Sequence, residues 1–446
     1  MRIFIGLILL LLLSFPVVAQ VSIPAEELAK RRQNLFQKIG DGIGIVWGAE
    51  PPNAPTRFNQ APDLYYLCGL QDPDAILLLI GKTKEVFFFS KKSTEKDLRW
   101  NGPSAWTTTN LKASNGIDQL LPYEDFWEVV SKNSSTESLF YLALSPVDQV
   151  DKSRSNVNDL ELALLRHPIQ TIPFWKRAVT EIKELFPLAT VRNINPLMTE
   201  LRQIKTVFEI EQLKNSGRVG AEGILEAIKD TRPGMYEYEL EAIASYYYTK
   251  RGARGAGFAP IVASGPATYT VHYESNSRQI QKEDFILMDY GCNYNYYVSD
   301  ITRVWPASGK FTEQEEKMYL CILEASKTII KAMKPGVSFG TLRAIAYEVY
   351  QKHGFADKAL SWNGYIGHFT GMSVHDVGNR DDASLLQAGM VFNVEPVLDD
   401  PINKRHMRLE DTVLITDDGA INLTESVPAE LSDIYKLMKQ KGLTGN

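Results

Sequence analysis

The spacing of apolar and polar residues separates a first half, in which short strands and helices alternate, from a second half with longer helices. In the first half, apolar residues recur at helical spacing over residues 25–39, and strand-like runs follow at 43–47, 75–80 and 85–89. The turn Gly81-Lys82-Thr83-Lys84 separates the last two runs, which predicts a hairpin or neighbouring strands. Because this alternation continues to about residue 195, an α/β domain is expected.

The second half begins with helical periodicity over residues 208–227, which Arg232-Pro233-Gly234 ends. A second helix is predicted at 236–250, and strands follow from there to residue 416. Two further helices are predicted near 313–333 and 339–353. This half is therefore expected to be an α+β domain. The predicted domains are residues 20–200 and 201–446.

The first nineteen residues differ from the rest and predict a secretory signal peptide. Arg2 supplies a positive start, residues 3–13 are apolar, and Val17 and Ala19 place small residues before a cleavage site. An uncleaved membrane anchor is the alternative, but the apolar run is short for a span of ~20 residues. The protein is therefore expected to be exported, periplasmic or secreted, and free of the membrane after cleavage.

Composition narrows the class of protein further. The 446 residues are 44% hydrophobic and 23% charged, which fits a soluble globular protein of about two or three domains. The net charge of -6 argues against a nucleic-acid partner, because such surfaces need clustered Lys and Arg. The three Cys residues have no motif spacing, so buried free thiols are expected in place of a disulfide framework.

Candidate chemistry is concentrated in the second half. Residues 285–305 read as two strand-like runs around the polar centre Asn293-Tyr294-Asn295-Tyr296. A hairpin centred between Tyr294 and Asn295 would place Asp289 opposite Asp300, with Cβ atoms ~5 Å apart. Two buried carboxylates on one face repel each other, and a divalent cation would relieve that repulsion. Two solvent-facing carboxylates near a turn are the alternative.

Residues 391–416 also read as strand, loop and strand. Glu395 and Glu410 each lie in or beside an apolar strand, where an unpaired Glu is rarely found. A metal site would satisfy them, and so would ion pairs with Arg408 or Lys404. The polar loop between the strands is predicted around residues 399–406.

His368 and His375 stand among glycines and small residues, which permit close backbone approach. One of them could be a metal ligand and the other a hydrogen-bond donor, although a lone His is more often structural. The same reservation applies to His272. One His and four carboxylates on strands form an oxygen-rich set that suits manganese or another borderline divalent ion. Two such ions ~3.5–4 Å apart can serve hydrolysis.

These residues resemble the pita-bread metallopeptidases, the superfamily of methionine aminopeptidase, aminopeptidase P, prolidase and creatinase. The resemblance covers about residues 205–435 and rests on an ordered set of motifs: Asp289, Asp300-Ile301-Thr302-Arg303, His368, Glu395-Pro396 and Glu410-Asp411. Residues 57–80 are similar to the N-terminal domain of aminopeptidase P, and Arg232-Pro233-Gly234 fits that branch. The chain therefore resembles Xaa-Pro aminopeptidases, which remove an N-terminal residue that precedes proline.

The resemblance implies a peptide substrate and two divalent metal ions, with Mn(2+) expected. Asp289 would bind one ion, His368 and Glu395 the other, and Asp300 and Glu410 would bridge them. Hydrolysis would proceed by attack of a dimetal-bound hydroxide, with Glu395 as proton shuttle. His272 and His375 would hydrogen-bond the substrate and the oxyanion, and Arg408 would orient Glu410 or Asp289. Relatives often associate, so a homo-oligomer is a further possibility.

Two departures from the family pattern affect the expected substrate. The first His of the family's His-Gly-x-Gly-His motif is missing before His368, and Asp399 stands where relatives tend to carry Tyr. Neither change removes a metal ligand, but both concern the grip on the residue after the scissile bond. A dipeptidase of the prolidase type therefore remains an alternative, and so does a non-catalytic peptide-binding module on the same fold.

Overall fold

In the computed structural model, which describes residues 21–51, 57–145, 173–361 and 364–445, the first half is α/β and the second half is α+β, as the sequence predicts. Residues 1–19, the predicted signal peptide, lie outside this described part. The helix Asn195–Gln203 spans the predicted boundary near residue 200 and leads into the first long helix of the second half. None of the helices described is long and apolar enough to cross a bilayer.

One six-stranded mixed sheet forms the centre of the first half. Its strands are β1 (Ile43–Trp47), β2 (Ile76–Ile80), β3 (Glu85–Phe89), β4 (Gln119–Leu121), β5 (Leu139–Leu142) and β6 (Thr190–Asn193). Their order is β4-β3-β2-β1-β5-β6, in which β1, β2 and β3 pair antiparallel and the outer strands join in parallel. The helices around the sheet are α1 (Ala25–Ile39), α2 (Pro62–Cys68), α3 (Glu95–Asn101), α4 (Leu111–Asn115), α5 (Phe126–Lys132), α6 (Phe174–Leu185) and α7 (Asn195–Gln203).

The sheet is covered on both faces because its central strands are apolar at every position. Along β2, Leu77 and Leu79 pack into one buried cluster while Leu78 and Ile80 pack into another. Successive side chains of a strand point to opposite faces, so an uninterrupted apolar run requires cover on both. The first half therefore has a core of its own on each side of the sheet.

The second half combines long helices with several small antiparallel sheets. Its helices are α8 (Val207–Asp230), α9 (Glu237–Lys250), α10 (Glu313–Ala332), α11 (Phe339–Lys352), α12 (Ala356–Ser361) and α13 (Leu431–Leu437). Its strands are β7 (Gly255–Ala256), β8 (Ile261–Ser264), β9 (Phe285–Asp289), β10 (Cys292–Tyr294), β11 (Tyr297–Val298), β12 (Thr302–Pro306), β13 (Gly367–Phe369), β14 (Val391–Val394), β15 (Val397–Asp400), β16 (Arg405–Arg408), β17 (Asp411–Ile415) and β18 (Ala420–Asn422).

The strand orders are β12-β9-β8, β11-β10-β7, β13-β14-β17-β18 and β15-β16. An isolated bridge between Thr302 and Glu410 joins the first of these sheets to the third. The two backbones exchange hydrogen bonds there, with N···O distances of 3.3 and 3.1 Å. The strands that carry the predicted carboxylate ligands are thus held edge to edge.

The hairpin that contains Asp289 and Asp300 turns one residue later than the sequence predicts. Asn295 and Tyr296 form its two-residue loop, and both have positive φ, 54° and 70°. A tight hairpin turn of this kind requires φ above zero at both positions. Asp289 therefore lies opposite Thr302, and the predicted pairing with Asp300 is wrong. The register shift is two residues, so Asp300 keeps the face on which the prediction placed it.

The segment 391–416 contains four strands where the sequence predicts two. The predicted polar loop at residues 399–406 is mostly a hairpin of β15 and β16, with Asp399 opposite His406. This hairpin is inserted between β14 and β17, which pair with each other. The prediction failed because the polar residues at the hairpin's ends gave no apolar strand signal.

The tip of the Asp289–Asp300 hairpin projects from the second half into the first. The ring of Tyr296 stacks on that of Tyr65 in α2, with a centroid distance of 3.7 Å. The hydroxyl of Tyr297 accepts a hydrogen bond from Arg31 of α1 at 3.2 Å and donates to Glu209 at 3.1 Å. The two halves are therefore joined by the element that carries the predicted ligands. Away from that junction, the predicted buried free thiols are confirmed at Cys68, Cys292 and Cys321.

Candidate metal centre

The five predicted ligands surround one buried point between the small sheets. Each is at most 6% exposed; they are Asp289, Asp300, His368, Glu395 and Glu410. Nε2 of His368 is 3.3 Å from Asp300 Oδ2 and 3.4 Å from Glu410 Oε1. It lies 3.9 Å from Glu395 Oε2. Single ligand atoms of Asp300, His368 and Glu410 lie within 4.8 Å of one another, a spacing that could hold a metal ion.

Strand geometry accounts for this convergence. Asp289 ends β9, and Asp300 lies two residues before Thr302, the residue opposite Asp289. His368 stands at the centre of β13, opposite Asn393 of β14. Glu395 follows β14 directly and donates its backbone N–H to the carbonyl of Ile366 at 2.8 Å. The ligands thus come from strand ends whose register is fixed by backbone hydrogen bonds.

Arg408 lies beside the carboxylates and contacts two of them. Its Nη2 is 2.5 Å from Asp289 Oδ2, and its Nη1 is 3.5 Å from Glu395 Oε1. It reaches Glu410 only indirectly, because Nε donates to the hydroxyl of Thr302 at 3.3 Å and that hydroxyl donates to Glu410 at 2.6 Å. Arg408 therefore pairs directly with Asp289, which is one of the two partners that the sequence suggests.

Three polar residues that the sequence does not single out hold the ligands in place. Tyr365 donates to Glu395 Oε2 at 2.7 Å, and the amide of Asn393 donates to Glu410 Oε1 at 2.8 Å. Thr302 donates to the other oxygen of Glu410. Thr302 could have been found from its two-residue spacing to Asp300. Tyr365 and Asn393 carry no such signal, because their partners come from distant parts of the sequence.

The charges of this cluster are not balanced by protein groups alone. Burial, together with repulsion from Glu410 and Asp289, raises the pKa of Asp300 well above its usual range. Burial and Glu410 likewise raise the pKa of Glu395. Among the described residues, Asp289 Oδ1 and Asp300 Oδ1 have no hydrogen-bond partner. Buried oxygens without donors are costly, so this donor set fits hard divalent cations.

His375 lies next to the ligand His368, with 4.0 Å between the ring centroids. The positive charge on His368 and burial together lower the pKa of His375, so its imidazole is neutral near pH 7. A bound cation would act with the same sign as a charged His368. A neutral imidazole can donate one hydrogen bond to a substrate, as the sequence-based role requires.

His272 lies on a turn after the 3-10 helix Gly265–Tyr269 and is the most exposed of the predicted site residues. Partial burial and the charge of Arg408 lower its pKa. Its charge also contributes to the lowered pKa of His375. The role of His272 toward a substrate stays a prediction.

Of the two departures from the family pattern, the one at Asp399 can be described fully and the one near residue 363 only in part. Asp399 accepts a hydrogen bond from Nδ1 of His406 at 2.7 Å, so a hydrogen-bonded carboxylate stands where relatives tend to carry Tyr. The missing His of the glycine-rich motif falls at residue 363 or 364, and residue 363 lies outside the described part. Tyr365, immediately after that gap, is the residue that contacts Glu395.

Comparison with family models divides the chain in the same way. Residues 211–417 match the description "Metallopeptidase family M24", and residues 28–141 match "Aminopeptidase P, N-terminal domain". All eight predicted site residues lie within the first of these ranges, 211–417.

Relatives that match most of the chain include proteins named as Xaa-Pro aminopeptidases. The Xaa-Pro aminopeptidase of Escherichia coli is 27% identical over 450 residues, covering 93% of this chain and 98% of the relative. Xaa-Pro aminopeptidase 3 of Mus musculus is 27% identical over 413 residues, covering 86% of this chain and 77% of the relative.

Solved structures agree with these relatives. Proline aminopeptidase P II from Yersinia pestis superposes with a TM-score of 0.78 at 27% identity, covering 93% of this chain and 99% of that one. Aminopeptidase P from E. coli with the inhibitor Pro-Leu gives a TM-score of 0.77 at 26% identity, covering 94% and 99%. The predicted pita-bread architecture of the second half is confirmed by this likeness.

Proposed function

Because the chain belongs to the aminopeptidase P branch of metallopeptidase family M24, we propose that it hydrolyses the first peptide bond of peptides whose second residue is proline. The chain is a metal-dependent aminopeptidase, and the preference for proline is the finer part of the proposal. The observation that carries it is the convergence of three buried carboxyl groups, those of Asp300, Glu395 and Glu410, on Nε2 of His368. In addition, Asp289 Oδ1 and Asp300 Oδ1 have no donor among the described residues.

Asp289, Asp300, His368, Glu395 and Glu410 would hold two divalent cations. When bound, such ions supply Lewis acidity and lower the pKa of a water molecule to ~7, which makes hydrolysis possible at neutral pH. The protein's contribution is to fix the ligands before any substrate arrives. Arg408 does this for Asp289 and Glu395, and Thr302 and Asn393 do it for Glu410.

Glu395 is the residue best suited to move a proton. Its pKa is raised by burial and by Glu410, so it can take up a proton near neutral pH and release it to a leaving amine. Tyr365 and Arg408 hold its two oxygens and so define where that proton is carried. His375, being neutral, would donate a hydrogen bond to the developing oxyanion.

Manganese is the ion we propose for this site. Four carboxylates and a single imidazole form a hard, oxygen-rich set without thiolates, which favours Mn²⁺ over a structural zinc site. Zinc can also occupy the site of a similar protein, since a structure of zinc-substituted E. coli aminopeptidase P has been solved.

Purified protein that has been stripped of metal and reloaded with Mn²⁺, Zn²⁺ or Co²⁺ tests the proposal directly. Release of the first residue would be measured on a tripeptide with proline at position two, on its alanine counterpart and on the matching Xaa-Pro dipeptide. Faster turnover of the proline tripeptide supports the proposal. Equal rates on both tripeptides would remove the proline preference, and activity confined to the dipeptide would favour a prolidase-type dipeptidase.

We also propose that the protein is exported to the periplasm or secreted. The proposal rests on the apolar residues 3–13 and the small residues Val17 and Ala19 before the expected cleavage site. Mass spectrometry of the protein from its native host would find Gln20 as the first residue. An intact amino terminus, or a chain that starts elsewhere, would contradict this proposal.

A further inference from the structure

The loop that carries His375 joins β13 to β14 and is folded back on itself. The amide of Gly371 donates to the carbonyl of Ser373 at 3.2 Å, and the amide of Asp376 donates to that of Phe369 at 2.8 Å. The hydroxyl of Thr370 donates to the carbonyl of Val374 at 3.1 Å. These bonds close the loop, but none of them involves the His375 ring. Among the described residues no hydrogen bond of that ring is recorded.

Asp376, the residue after His375, is clamped by two cations. Its Oδ1 is 2.5 Å from Nη2 of Arg202, and its Oδ2 is 3.2 Å from Nζ of Lys205. All three side chains are only 1% exposed. Both carboxylate oxygens are thus held from outside the loop, in surroundings where charge–charge attraction is weakly screened.

The two cations come from the segment that connects the halves of the chain. Arg202 is near the end of α7, and its Nη1 pairs with Asp63 of α2 in the first half at 2.7 Å. Lys205 precedes α8, and its backbone N–H donates to Gly389 just before β14 at 2.8 Å. The clamp therefore ties the His375 loop to α2, to the connecting segment and to the strand after the loop.

The loop is shaped to receive this clamp. A Cβ atom at Gly371 would lie 2.0 Å from Oδ2 of Asp376 and 3.0 Å from Cε of Lys205, so only glycine leaves room for the carboxylate. Gly367 and Gly378 flank the same loop, and glycines leave a backbone free to move unless other groups fix it. Beside these backbone hydrogen bonds, the carboxylate of Asp376 is the side-chain group that fixes the loop next to His375.

We propose that Arg202 and Lys205 are positioning residues for His375 and act on it through the carboxylate of Asp376. The inference rests on the proposed function, in which His375 donates a hydrogen bond to the developing oxyanion. With the clamp intact, the imidazole is held beside His368 before substrate binds. Without it, the metal ligands keep their places while the imidazole loses its fixed orientation.

Asp376→Asn and Arg202→Met, alone and combined, test this inference in the Mn²⁺-loaded protein. We expect kcat to fall ~10- to 100-fold in each single variant, because small displacements of a group that acts in the transition state have effects of this size. KM and the affinity for Mn²⁺ should change less than ~2-fold, since no ligand is touched. The double variant should be little slower than the slower single variant, because both changes break one interaction.

Two variants control for loss of buried charge. Asp63→Asn weakens another ion pair of Arg202 and leaves its pair with Asp376 in place. Arg32→Met removes an equally enclosed arginine of α1, 5% exposed, whose Nη1 donates to the carbonyl of Leu67 at 2.6 Å. Both should lower the unfolding temperature but leave kcat per folded molecule within ~2-fold of the wild type.

A measurement that needs no turnover separates this inference from the proposed function. The protein is loaded with diamagnetic Zn²⁺, because Mn²⁺ would broaden signals near the site, and is labelled with ¹³C at Cε1 of its six His residues; His375→Gln then identifies the His375 signal. We expect one sharp His375 signal in the wild type and in Asp63→Asn, and a broadened or shifted one in Asp376→Asn and Arg202→Met. An unchanged signal, additive losses in the double variant, or a parallel loss of Mn²⁺ affinity would overturn the inference. A wild type with this signal pattern but no peptidase activity would instead refute the proposed function.

Discussion

Tyr365 donates the hydrogen of its hydroxyl to Oε2 of Glu395 across 2.7 Å, while Arg408 lies 3.5 Å from the other oxygen of the same carboxyl group. Burial and the nearby Glu395 raise the pKa of Tyr365 well above its usual range, so the phenol stays protonated and remains a donor. The carboxyl group that we propose as proton carrier is therefore oriented from both sides. Removing one side should have a measurable effect on turnover.

The change Tyr365→Phe should lower kcat ~10-fold or more and leave KM nearly unchanged. A hydrogen bond to a charged group contributes ~1.5–3 kcal/mol, and ~1.4 kcal/mol corresponds to a factor of ten in rate. Steady-state kinetics on the proline tripeptide would measure it. Tyr319→Phe is the matched control, because its hydroxyl donates to the carbonyl of Ala429, away from the ligands. Equal kinetics in both variants would contradict the role of Tyr365.

The change Asp300→Asn should stabilise the metal-free protein and abolish its stabilisation by metal. In the wild type, burial and repulsion from Glu410 and Asp289 oppose the Asp300 charge, and the neutral amide removes that repulsion. Metal at ~100 times its Kd would stabilise the wild type by ~2.7 kcal/mol, a gain that the variant should lack. Thermal unfolding with chelator and with Mn²⁺ measures both effects. Asp230→Asn, at another buried carboxylate, should lower both unfolding temperatures.

The metal-free protein should lose stability as the pH rises from ~4 towards neutral. Burial raises the pKa values of Asp289 and Glu395 in the folded state, so the folded protein binds more protons than the unfolded chain in this range. The stabilisation that these two carboxyl groups contribute is complete below their ordinary pKa. It is lost as the pH rises through the raised values. The lowered pKa of Glu410 adds a gain with the opposite sign, which is finished by pH ~5.

Urea unfolding at pH 5 and pH 8 would measure this loss in chelator-treated protein. The raised pKa of His368 acts in the same direction, since its stabilising charge is also lost as the pH rises. The lowered pKa of His375 opposes it up to pH ~6.5, because there the unfolded chain binds a proton that the folded protein does not, and the three raised carboxyl and imidazole pKa values together outweigh it. Bound cations replace the protons, so the Mn²⁺-loaded protein should show a flatter dependence. A metal-free protein that is more stable at pH 8 than at pH 5 would contradict this reading of the cluster.

The change Tyr296→Gly should lower the free energy of unfolding despite relieving its backbone. Glycine at φ 70° removes a left-handed penalty of ~1–2 kcal/mol. The loss of a buried aromatic ring costs more, ~3–5 kcal/mol, because the stack on Tyr65 disappears. Equilibrium denaturation gives the net change. Lys84→Gly, at an exposed turn with φ 64°, should show mainly the backbone gain, because it loses only exposed contacts with Gly40 and the Phe36 ring. A Tyr296→Gly variant that is more stable than the wild type would contradict this prediction.

The sequence predicted correctly the helices and strands whose formation depends only on neighbouring residues. Helix α1 and strand β1 occupy the residues predicted for them, because a continuous amphipathic period and a glycine-bounded apolar run need no distant partner. The register of the Asp289–Asp300 hairpin was missed because an aromatic residue rarely adopts positive φ. Tyr296 does so because its ring stacks on Tyr65, a contact between distant parts of the chain.

The same distinction applies to the candidate site. Four of the candidate ligands could be singled out from the sequence because they are carboxylates in or beside apolar strands, whereas the choice of His368 as the fifth came from the family resemblance. Their supporting residues could not be singled out, since Tyr365 meets Glu395 across 30 positions and Thr302 meets Glu410 across 108. The clamp of Arg202 on Asp376 spans 174 positions and has no local signature. Only the fold brings such pairs together.

The insertion of Tyr296 against Tyr65 has a consequence for the order in which the molecule can be completed during translation. Tyr65 leaves the ribosome with the first half, and the ring that covers it is made only when the hairpin of the second half is synthesised. At ~5–20 residues per second this delay is on the order of tens of seconds. Until the hairpin arrives, the first half therefore lacks the ring that covers Tyr65.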